Sequence, residues 1–367
     1  MAGLDARHPL TQGGRTPIAS ESVDLSTRLA GLDLPSPILT ASGCAAAGRE
    51  LDQFVPVAML GAVVTKSIML APRSGRATPR MVETASGMLN SIGLQGPGIE
   101  HFVAHDLPWL RARGARVVVS IAGGSIEEYS QLAQRLRGAG PFAAVEVNIS
   151  CPNVEDRGQV FACNRSASMA VIHAVRRATD PQIPVLAKLS PDVTDLVDIA
   201  DGCVGAGADG LSMINTALGL AIDPTTMRPV LAGVTGGLSG PAIRPIAMRC
   251  IWQVHRALPD VPILGMGGLR TGLDVLEMVL AGASAVSVGT VVFHDPSAPT
   301  RILGELRAAL AERGIARLAD LVGHAHRGPA IGPGEKEAAE SERDELPYAE
   351  HALAGNPERS GASERSE

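Results

Sequence analysis

The sequence predicts an α/β protein with the (β/α)8 TIM barrel fold, in which eight strand–helix units close into a ring. Three observations support this class: eight short apolar runs, helical patterns between them, and long connections after several of the runs. The runs are continuous rather than alternating, which is typical of parallel strands covered on both faces. They lie at residues 37–43, 62–68, 116–122, 143–150, 184–190, 210–216, 262–268 and 285–290.

The segments between the runs support the same count. Residues 300–314 carry an apolar stripe at helical spacing. A weak repeat links "AGADGLSM" (206–213) with "AGASAVSV" (281–288), where a glycine ends a helix and an apolar strand follows. Gly207 and Gly282 suit the left-handed position after a helix end. A doubly wound sheet is the alternative, but it would prefer fewer strands and a nucleotide fingerprint after the first.

Three segments outside the eight units differ from them in composition. Residues 23–37, "VDLSTRLAGLDLPSP", read as two short strands around Gly31 and predict a hairpin that closes the bottom of the barrel. Residues 1–22 predict a flexible N-terminal extension. Residues 332–367 predict a disordered acidic tail, because they are charged and almost free of large apolar side chains. The barrel domain is therefore expected over residues 23–331.

Charge and composition exclude several classes of partner. The tail holds ten acidic and four basic residues, so it accounts for the whole net charge of −6. The neutral remainder offers no basic face to nucleic acid or to an anionic membrane. Aromatic residues make up only 2%, too few for the stacking platforms that bind single strands. Polar residues interrupt the most apolar long stretch, 276–293, so no membrane span is predicted.

The five cysteines are irregularly spaced and indicate a reduced, cytoplasmic protein. No C-x-x-C pair occurs, so neither zinc nor an iron–sulfur cluster has its usual ligand spacing, and no metal site is predicted. We interpret four of the cysteines as chemically inert core side chains, the usual role of a free cysteine: Cys44, Cys163, Cys203 and Cys250. Cys151 differs, because it follows a predicted strand and begins a long polar loop.

Polar residues gather where the predicted strands end. In a barrel, the loops that follow the strands form the carboxyl face, which carries the active site. The connections after the second, fourth and sixth strands are the long ones, at 69–115, 151–183 and 217–261. The strand ends bring two lysines, two amides, a hydroxyl and a thiol to one face: Lys66, Lys188, Asn148, Asn215, Thr216 and Cys151.

These residue types suit an anionic, planar ligand. Lys66 and Lys188 have no obvious carboxylate beside them, which indicates a bound anion, and a reduced flavin is one candidate. Amides are frequent in turns for purely local reasons. Clustered amides also match a ring with alternating N–H and C=O groups, such as a pyrimidine. The candidate amides are Asn90, Asn148, Asn153 and Asn215.

Glycine pairs follow the last two strands, where barrels commonly bind phosphate through backbone N–H groups. These are Gly267 with Gly268 in "GMGG", and Gly289 beside Thr290. Arg270 occupies the final position of a would-be G-x-G-x-x-G, so no Rossmann site for a nicotinamide dinucleotide is predicted.

Several motifs together resemble the dihydroorotate dehydrogenase family, and the likeness extends from about residue 23 to about residue 314. "PRMVETASGMLNSIGLQGPG" in particular is similar to the class 1B, NAD-linked catalytic subunit. Class 1A, linked to fumarate, is the nearest alternative. Class 2 uses a serine base and an N-terminal membrane anchor, neither of which this sequence shows. The other motifs are "NISCPNV", "AKLSPDVTD", "MINT", "TGGLSGPAIRP" and "GMGG".

The resemblance implies oxidation of (S)-dihydroorotate to orotate in pyrimidine (UMP) synthesis, with FMN as cofactor. It makes Cys151 the general base that takes a proton from C5 while hydride leaves C6 for N5 of FMN. The implied substrate contacts are Lys66, Asn90, Ser91, Ile92, Gly93, Leu94, Asn148, Asn215 and Thr216. The implied FMN contacts are Ser42, Lys66, Ser67, Ser120, Asn148, Lys188, Ile214, Gly240, Gly267, Gly268, Gly289 and Thr290, the last four at the phosphate end.

Two of these positions depart from the family pattern. Ser120 stands where the family usually has an asparagine next to the flavin, so the implied contact is either lost or made through water. Ser67 replaces a common threonine and keeps its hydroxyl.

The resemblance also implies partners. The expected assembly is a homodimer flanked by two electron-transfer subunits that carry FAD and a [2Fe–2S] cluster, through which electrons reach NAD. Two alternatives stay open at this point. One is a related dihydropyrimidine dehydrogenase acting on uracil or thymine; the other is a phosphate-binding aldolase or isomerase with Lys66 or Lys188 as a Schiff-base amine.

Overall fold

A computed structural model describes residues 16–149 and 161–328, and within them all eight predicted strands are present. Each lies inside the apolar run that predicted it, and every one is short, as barrel strands are. In chain order they are β1 Ile38–Thr40, β2 Val63–Val64, β3 Val117–Ile121, β4 Ala144–Asn148, β5 Val185–Leu189, β6 Gly210–Met213, β7 Ile263–Met266 and β8 Ala285–Val288.

The eight strands are parallel and neighbour one another in chain order, except that β8 lies beside β1. The ring closes between β1 and β2, where Leu39 and Ala62 form a parallel bridge. The Gly61 N–H donates to the Ile38 carbonyl at 2.8 Å across the same seam. The predicted (β/α)8 barrel is therefore confirmed, and the doubly wound alternative is wrong.

Helices cover the outside of the ring after every strand but the first. The connection after β1 contains two short 3-10 helices, Leu51–Gln53 and Val57–Met59, instead of an α-helix. A π-helical turn, Phe102–Asp106, joins the first two α-helices. The α-helices are α1 Ile99–His101, α2 Leu107–Ala112, α3 Ile126–Arg137, α4 Arg165–Ala178, α5 Leu196–Gly205, α6 Arg244–Ala257, α7 Gly272–Leu280 and α8 Ala298–Glu312.

Side chains that begin and end these helices match their local sequence. Ser125, Asn164 and Asp195 each accept a backbone N–H at a helix N-terminus, and Thr271 forms a capping box with Asp274. Gly207 and Gly282 have φ of 104° and 125°, which confirms the predicted left-handed glycines after α5 and α7.

Aliphatic side chains fill the lower part of the barrel interior. Leu39, Val64, Val118, Leu186 and Leu264 are all at most 1% exposed and belong to one cluster. Each buried side chain of this size contributes about 1.5–3 kcal/mol relative to an exposed one. This layer forms a dry floor beneath the polar residues nearer the carboxyl ends of the strands.

The predicted hairpin closes that floor from below. Its strands, Thr27–Leu29 and Leu32–Leu34, are antiparallel and turn at Gly31, whose φ is 86°. Leu29 and Leu34 are fully buried and belong to the same interior cluster. Residues 16–22 also contact the barrel, since the Ile18 N–H donates to the Ala311 carbonyl at 3.0 Å. The boundaries of the N-terminal extension and of the acidic tail stay predictions.

A second, antiparallel sheet, which was not predicted from the sequence, lies on the carboxyl side of the ring. The long connections after β2 and β6 supply its strands, which pair across about 150 residues of sequence. Neighbouring strands are Ala217–Leu220, Thr235–Ser239, Gly87–Asn90 and Met81–Thr84. A small hairpin, Ile222–Asp223 with Arg228–Pro229, extends from the same connection.

Candidate active site

Two adjoining cavities lie at the carboxyl ends of the barrel strands, beneath the second sheet. Their volumes are about 710 and 390 Å³, each within the range of small-molecule sites. The two cavities share part of their lining, so one elongated ligand can extend from one into the other. The shared residues include Ser42, Cys44, Asn215, Thr216 and Thr290.

The larger cavity contains most of the residues predicted to contact substrate. Ser91 is the exception: it is fully buried behind the wall, where its Oγ accepts a hydrogen bond from Arg76 at 3.1 Å. The predicted substrate residues that line this cavity are Lys66, Asn90, Ile92, Gly93, Leu94, Asn148, Asn215 and Thr216, joined by Ser42, Ser67 and Thr290 from the cofactor set.

The smaller cavity contains Lys188 and the glycine turns. Gly240, Gly267 and Gly268 have φ of 89°, 133° and 72°, conformations that favour glycine. These turns therefore bring bare backbone to the cavity wall. The predicted cofactor residues that line it are Ser42, Lys188, Ile214, Gly240, Gly267, Gly268, Gly289 and Thr290.

A series of side-chain hydrogen bonds connects residues at the floor of the larger cavity with one another. Asn215 Nδ2 donates to Asn148 Oδ1 at 3.4 Å, and Asn148 Nδ2 donates to Ser67 Oγ at 2.9 Å. Ser67 Oγ and Ser120 Oγ lie 2.9 Å apart. The backbone carbonyl of Asn148 also accepts from the Tyr129 hydroxyl at 2.7 Å. These bonds fix the amides of β4 and of the β6 end relative to one another.

Ser120 lies below the cavity rather than on its wall. Its side chain is fully buried on β3, and it reaches the site through Ser67. The Ser120 backbone N–H donates to Thr65 Oγ1 at 3.1 Å, which ties β3 to the end of β2. A direct contact between the Ser120 hydroxyl and a bound ligand stays a prediction.

A buried carboxylate that was not predicted from the sequence lies beside one of the two lysines. Glu146, in the middle of β4, is fully buried, and its Oε1 lies 3.6 Å from Lys188 Nζ. The statement that neither lysine has a carboxylate beside it is therefore wrong for Lys188. The partners lie on neighbouring strands about 40 residues apart, so their proximity depends on the register of β4 with β5 rather than on local sequence.

Each lysine is held by the segment that follows β1. Lys188 Nζ donates to Ser42 Oγ at 2.6 Å, and the Lys66 backbone N–H donates to the Ala46 carbonyl at 2.9 Å. The side chain of Lys188 is only 4% exposed. Lys66 lines the larger cavity and Lys188 lines the smaller one, whereas Ser42 lines both.

The segment Asn90–Leu94 is held in place by both the second sheet and the loop before it. Asn90 Nδ2 donates to the Gly237 carbonyl at 3.4 Å, and the Arg76 N–H donates to the Ile92 carbonyl at 3.0 Å. Gly93 and Leu94 both have positive φ, 76° and 55°. Asn90 and Leu94 both line the larger cavity.

Cys151, the predicted base, lies outside the described residues, as does Asn153. Cys44 was assigned to the inert core, but it lines both cavities. Burial raises the pKa of the Cys44 thiol to about 11, and the ammonium groups of Lys188 and Lys66 only partly oppose this. Cys44 is therefore a protonated thiol at neutral pH, and a thiol is a far weaker base and nucleophile than a thiolate.

Comparison with known proteins identifies the family. A family model described as dihydroorotate dehydrogenase matches residues 24–310, which is most of the chain and includes all eight barrel strands. The chain belongs to the dihydroorotate dehydrogenase family. This membership confirms the family that the motifs predicted and the expectation of an oxidoreductase.

Relatives within the dihydroorotate dehydrogenase family match along almost their whole length. A protein of Geobacter sulfurreducens is 50% identical over 300 residues, covering 82% of this chain and 97% of the relative. A protein of Pelobacter propionicus is 50% identical over 300 residues, covering 82% of this chain and 98% of the relative. A protein of Desulforamulus reducens is 47% identical over 304 residues, covering 83% of this chain and 99% of the relative. All three are named dihydroorotate dehydrogenase B (NAD(+)), catalytic subunit, which agrees with class 1B.

Two features are absent from the described residues. Among those residues, no group of three histidine, cysteine, aspartate or glutamate side chains is placed to hold a metal ion. None of the helices there is both long enough and apolar enough to cross a membrane.

Proposed function

We propose that this protein oxidises (S)-dihydroorotate to orotate with FMN as its cofactor and Cys151 as its general base. One observation carries the proposal. Lys66, three amides and Lys188 converge on two connected cavities whose far end is made of glycine turns. A site with amides at one end and bare backbone at the other suits a pyrimidine next to a phosphate-bearing flavin.

The smaller cavity fits the cofactor. Glycine turns after the second-sheet strand Thr235–Ser239, β7 and β8 allow phosphate to approach backbone N–H groups closely. Lys188 lies in the same cavity and supplies positive charge beside the space for the ring system. When bound, FMN supplies the acceptor for the hydride that leaves C6 of the substrate.

The larger cavity fits the substrate. Asn90, Asn148 and Asn215 offer both donors and acceptors to a ring with alternating N–H and C=O groups. Lys66 offers an ammonium to an anionic ligand, and orotate carries a carboxylate. We assign the removal of the C5 proton to the Cys151 thiolate, which suits this task better than the protonated Cys44.

The proposal extends to the assembly and to the route of the electrons. The name "catalytic subunit" of the relatives implies a separate partner subunit. We propose a homodimer that binds two subunits carrying FAD and a [2Fe–2S] cluster and thereby reduces NAD. The extension after β6 exposes an apolar surface of the kind that protein interfaces cover, made of Leu218, Leu220, Ile222, Met227 and Val234. A cytoplasmic location is part of the same proposal.

Anaerobic titration tests the activity. The purified protein should be yellow, and one equivalent of dihydroorotate should bleach its flavin absorbance. Orotate should perturb the flavin spectrum, whereas uracil, which has no carboxylate, should not. A colourless protein that dihydroorotate does not change would contradict the proposal. Rapid fumarate reduction by the isolated chain would assign the protein to class 1A instead of class 1B.

A further inference from the structure

Glu146 is placed where a charge is unexpected. It lies one layer above the aliphatic floor, two residues along β4 from Ala144, which belongs to the interior cluster. Its carboxylate contacts side chains of β3, β5 and β6, so it extends across the inside of the ring. A buried carboxylate is costly unless it is paired and hydrogen-bonded. An aliphatic side chain would fill this position at lower cost.

All contacts of the carboxylate in the described part of the chain come from donors. Ser120 Oγ donates to Oε1 at 3.0 Å, Ser212 Oγ donates to Oε2 at 2.6 Å, and Lys188 Nζ lies 3.6 Å from Oε1. An ionised carboxylate only accepts hydrogen bonds. Glu146 therefore determines the direction of the bonds that lead away from it.

The direction of the hydrogen bond at one serine hydroxyl determines the direction of the bond at the next. The single proton of Ser120 Oγ is given to Glu146, so the bond between Ser67 and Ser120 requires Ser67 to donate. Ser67 Oγ is then free to accept, which it does from Asn148 Nδ2. The Asn148 amide is thereby oriented with its NH2 group toward Ser67 and its carbonyl toward Asn215.

The same carboxylate holds the ammonium of the smaller cavity. Lys188 Nζ lies between Glu146 and Ser42, at 3.6 and 2.6 Å. Glu146 is thus connected to the amide of one cavity and to the lysine of the other, although neither cavity includes it in its wall.

We infer that Glu146 is a positioning residue for the redox site: it orients the Asn148 amide through Ser120 and Ser67, and it holds and partly neutralises Lys188. The inference rests on the proposed binding of FMN, since both positioned residues belong to the predicted cofactor set. Glu146 lines neither cavity and acts only through its partners.

Glu146→Gln is the direct test, because glutamine keeps the shape but loses the charge and gains a donor. FMN should bind the apoprotein at least tenfold more weakly, since the serine–amide chain is no longer directed and Lys188 loses its partner. The midpoint potential of the bound flavin should become more positive, because removal of a negative charge favours the reduced, anionic form. A merely structural role would not shift the potential in this direction.

Asp209→Asn is the matched control. Asp209 accepts from Arg176 at 3.0 Å and from the Val185 N–H at 2.8 Å, at the amino ends of the strands. Its replacement also removes an ion-paired carboxylate, but it should leave both FMN affinity and potential at their wild-type values. Melting of each apoprotein, measured separately, reports folding.

The possible outcomes are distinguishable. A folded Glu146→Gln protein with wild-type FMN affinity and potential would overturn the inference. If that variant does not fold, Ser212→Ala is the test, because it removes one hydrogen-bond donor to Glu146 and keeps the charges of Glu146 and Lys188. The FMN affinity of Ser212→Ala should fall severalfold. An unchanged affinity would again overturn the inference. A wild-type apoprotein that binds no FMN would overturn the proposed function instead.

Discussion

Replacement of Cys151 by serine is expected to slow flavin reduction by dihydroorotate by about 10²–10⁴-fold at neutral pH, the range that a positioned base contributes. A serine hydroxyl is a much weaker acid than a thiol, so little alkoxide is present to accept the C5 proton. The rate should therefore rise with pH over a range in which the wild-type rate is flat. Anaerobic stopped-flow absorbance at the flavin band measures the effect.

Cys163→Ser is the control for this variant. Cys163 lies in a 3-10 helix of the same connection, is exposed, and its Sγ donates to the Asp192 carbonyl at 3.7 Å. In the Cys163→Ser protein, dihydroorotate should reduce the flavin at close to the wild-type rate. FMN content should be the same in all three proteins. If Cys151→Ser were reduced as fast as the wild type, Cys151 would not be the base.

Replacement of Gly237 by alanine is expected to weaken orotate binding at least tenfold, or about 1.4 kcal/mol. An added Cβ would come within 2.7 Å of Thr216 Cβ and closer still to its Oγ1. The Gly237 carbonyl also accepts from Asn90 Nδ2. Any shift that relieves the clash therefore moves Thr216 or Asn90, two predicted substrate residues. Titration of the flavin spectrum with orotate measures the change.

Gly304→Ala is the matched control, because Gly304 lies in the interior of α8 and an added Cβ there meets nothing within 4 Å. It should bind orotate normally and gain about 0.5–1 kcal/mol of stability from the better helix former. Wild-type orotate affinity in Gly237→Ala would show that the second sheet does not position the substrate residues.

Much of the fold could be predicted because its signals are local. Each barrel strand is a continuous apolar run, and the hairpin at residues 27–34 has a short strand on either side of Gly31. The second sheet has no such signal. One of its two central strands, "TGGLS", contains two glycines, which have low strand propensity. This strand is stabilised by pairing with segments distant in sequence.

Individual residues of the site could be predicted from the sequence, but the contacts between them could not. Strand-end position and family motifs identified Lys66, Asn148 and Lys188 as site residues, and all three line the cavities. Glu146 was missed because it stands inside an apolar run, and its three partners come from three other strands. A charged residue in the middle of an otherwise apolar barrel strand is the signal that could have identified it.

A crystal structure with orotate bound tests the central claim most directly. We expect flavin density across the two adjoining cavities, with the phosphate at Gly267–Gly268 and Gly289–Thr290. Orotate should lie among Asn90, Asn148 and Asn215, with the Cys151 sulfur within reach of C5. A flavin bound elsewhere, or a Cys151 sulfur buried away from orotate, would contradict it.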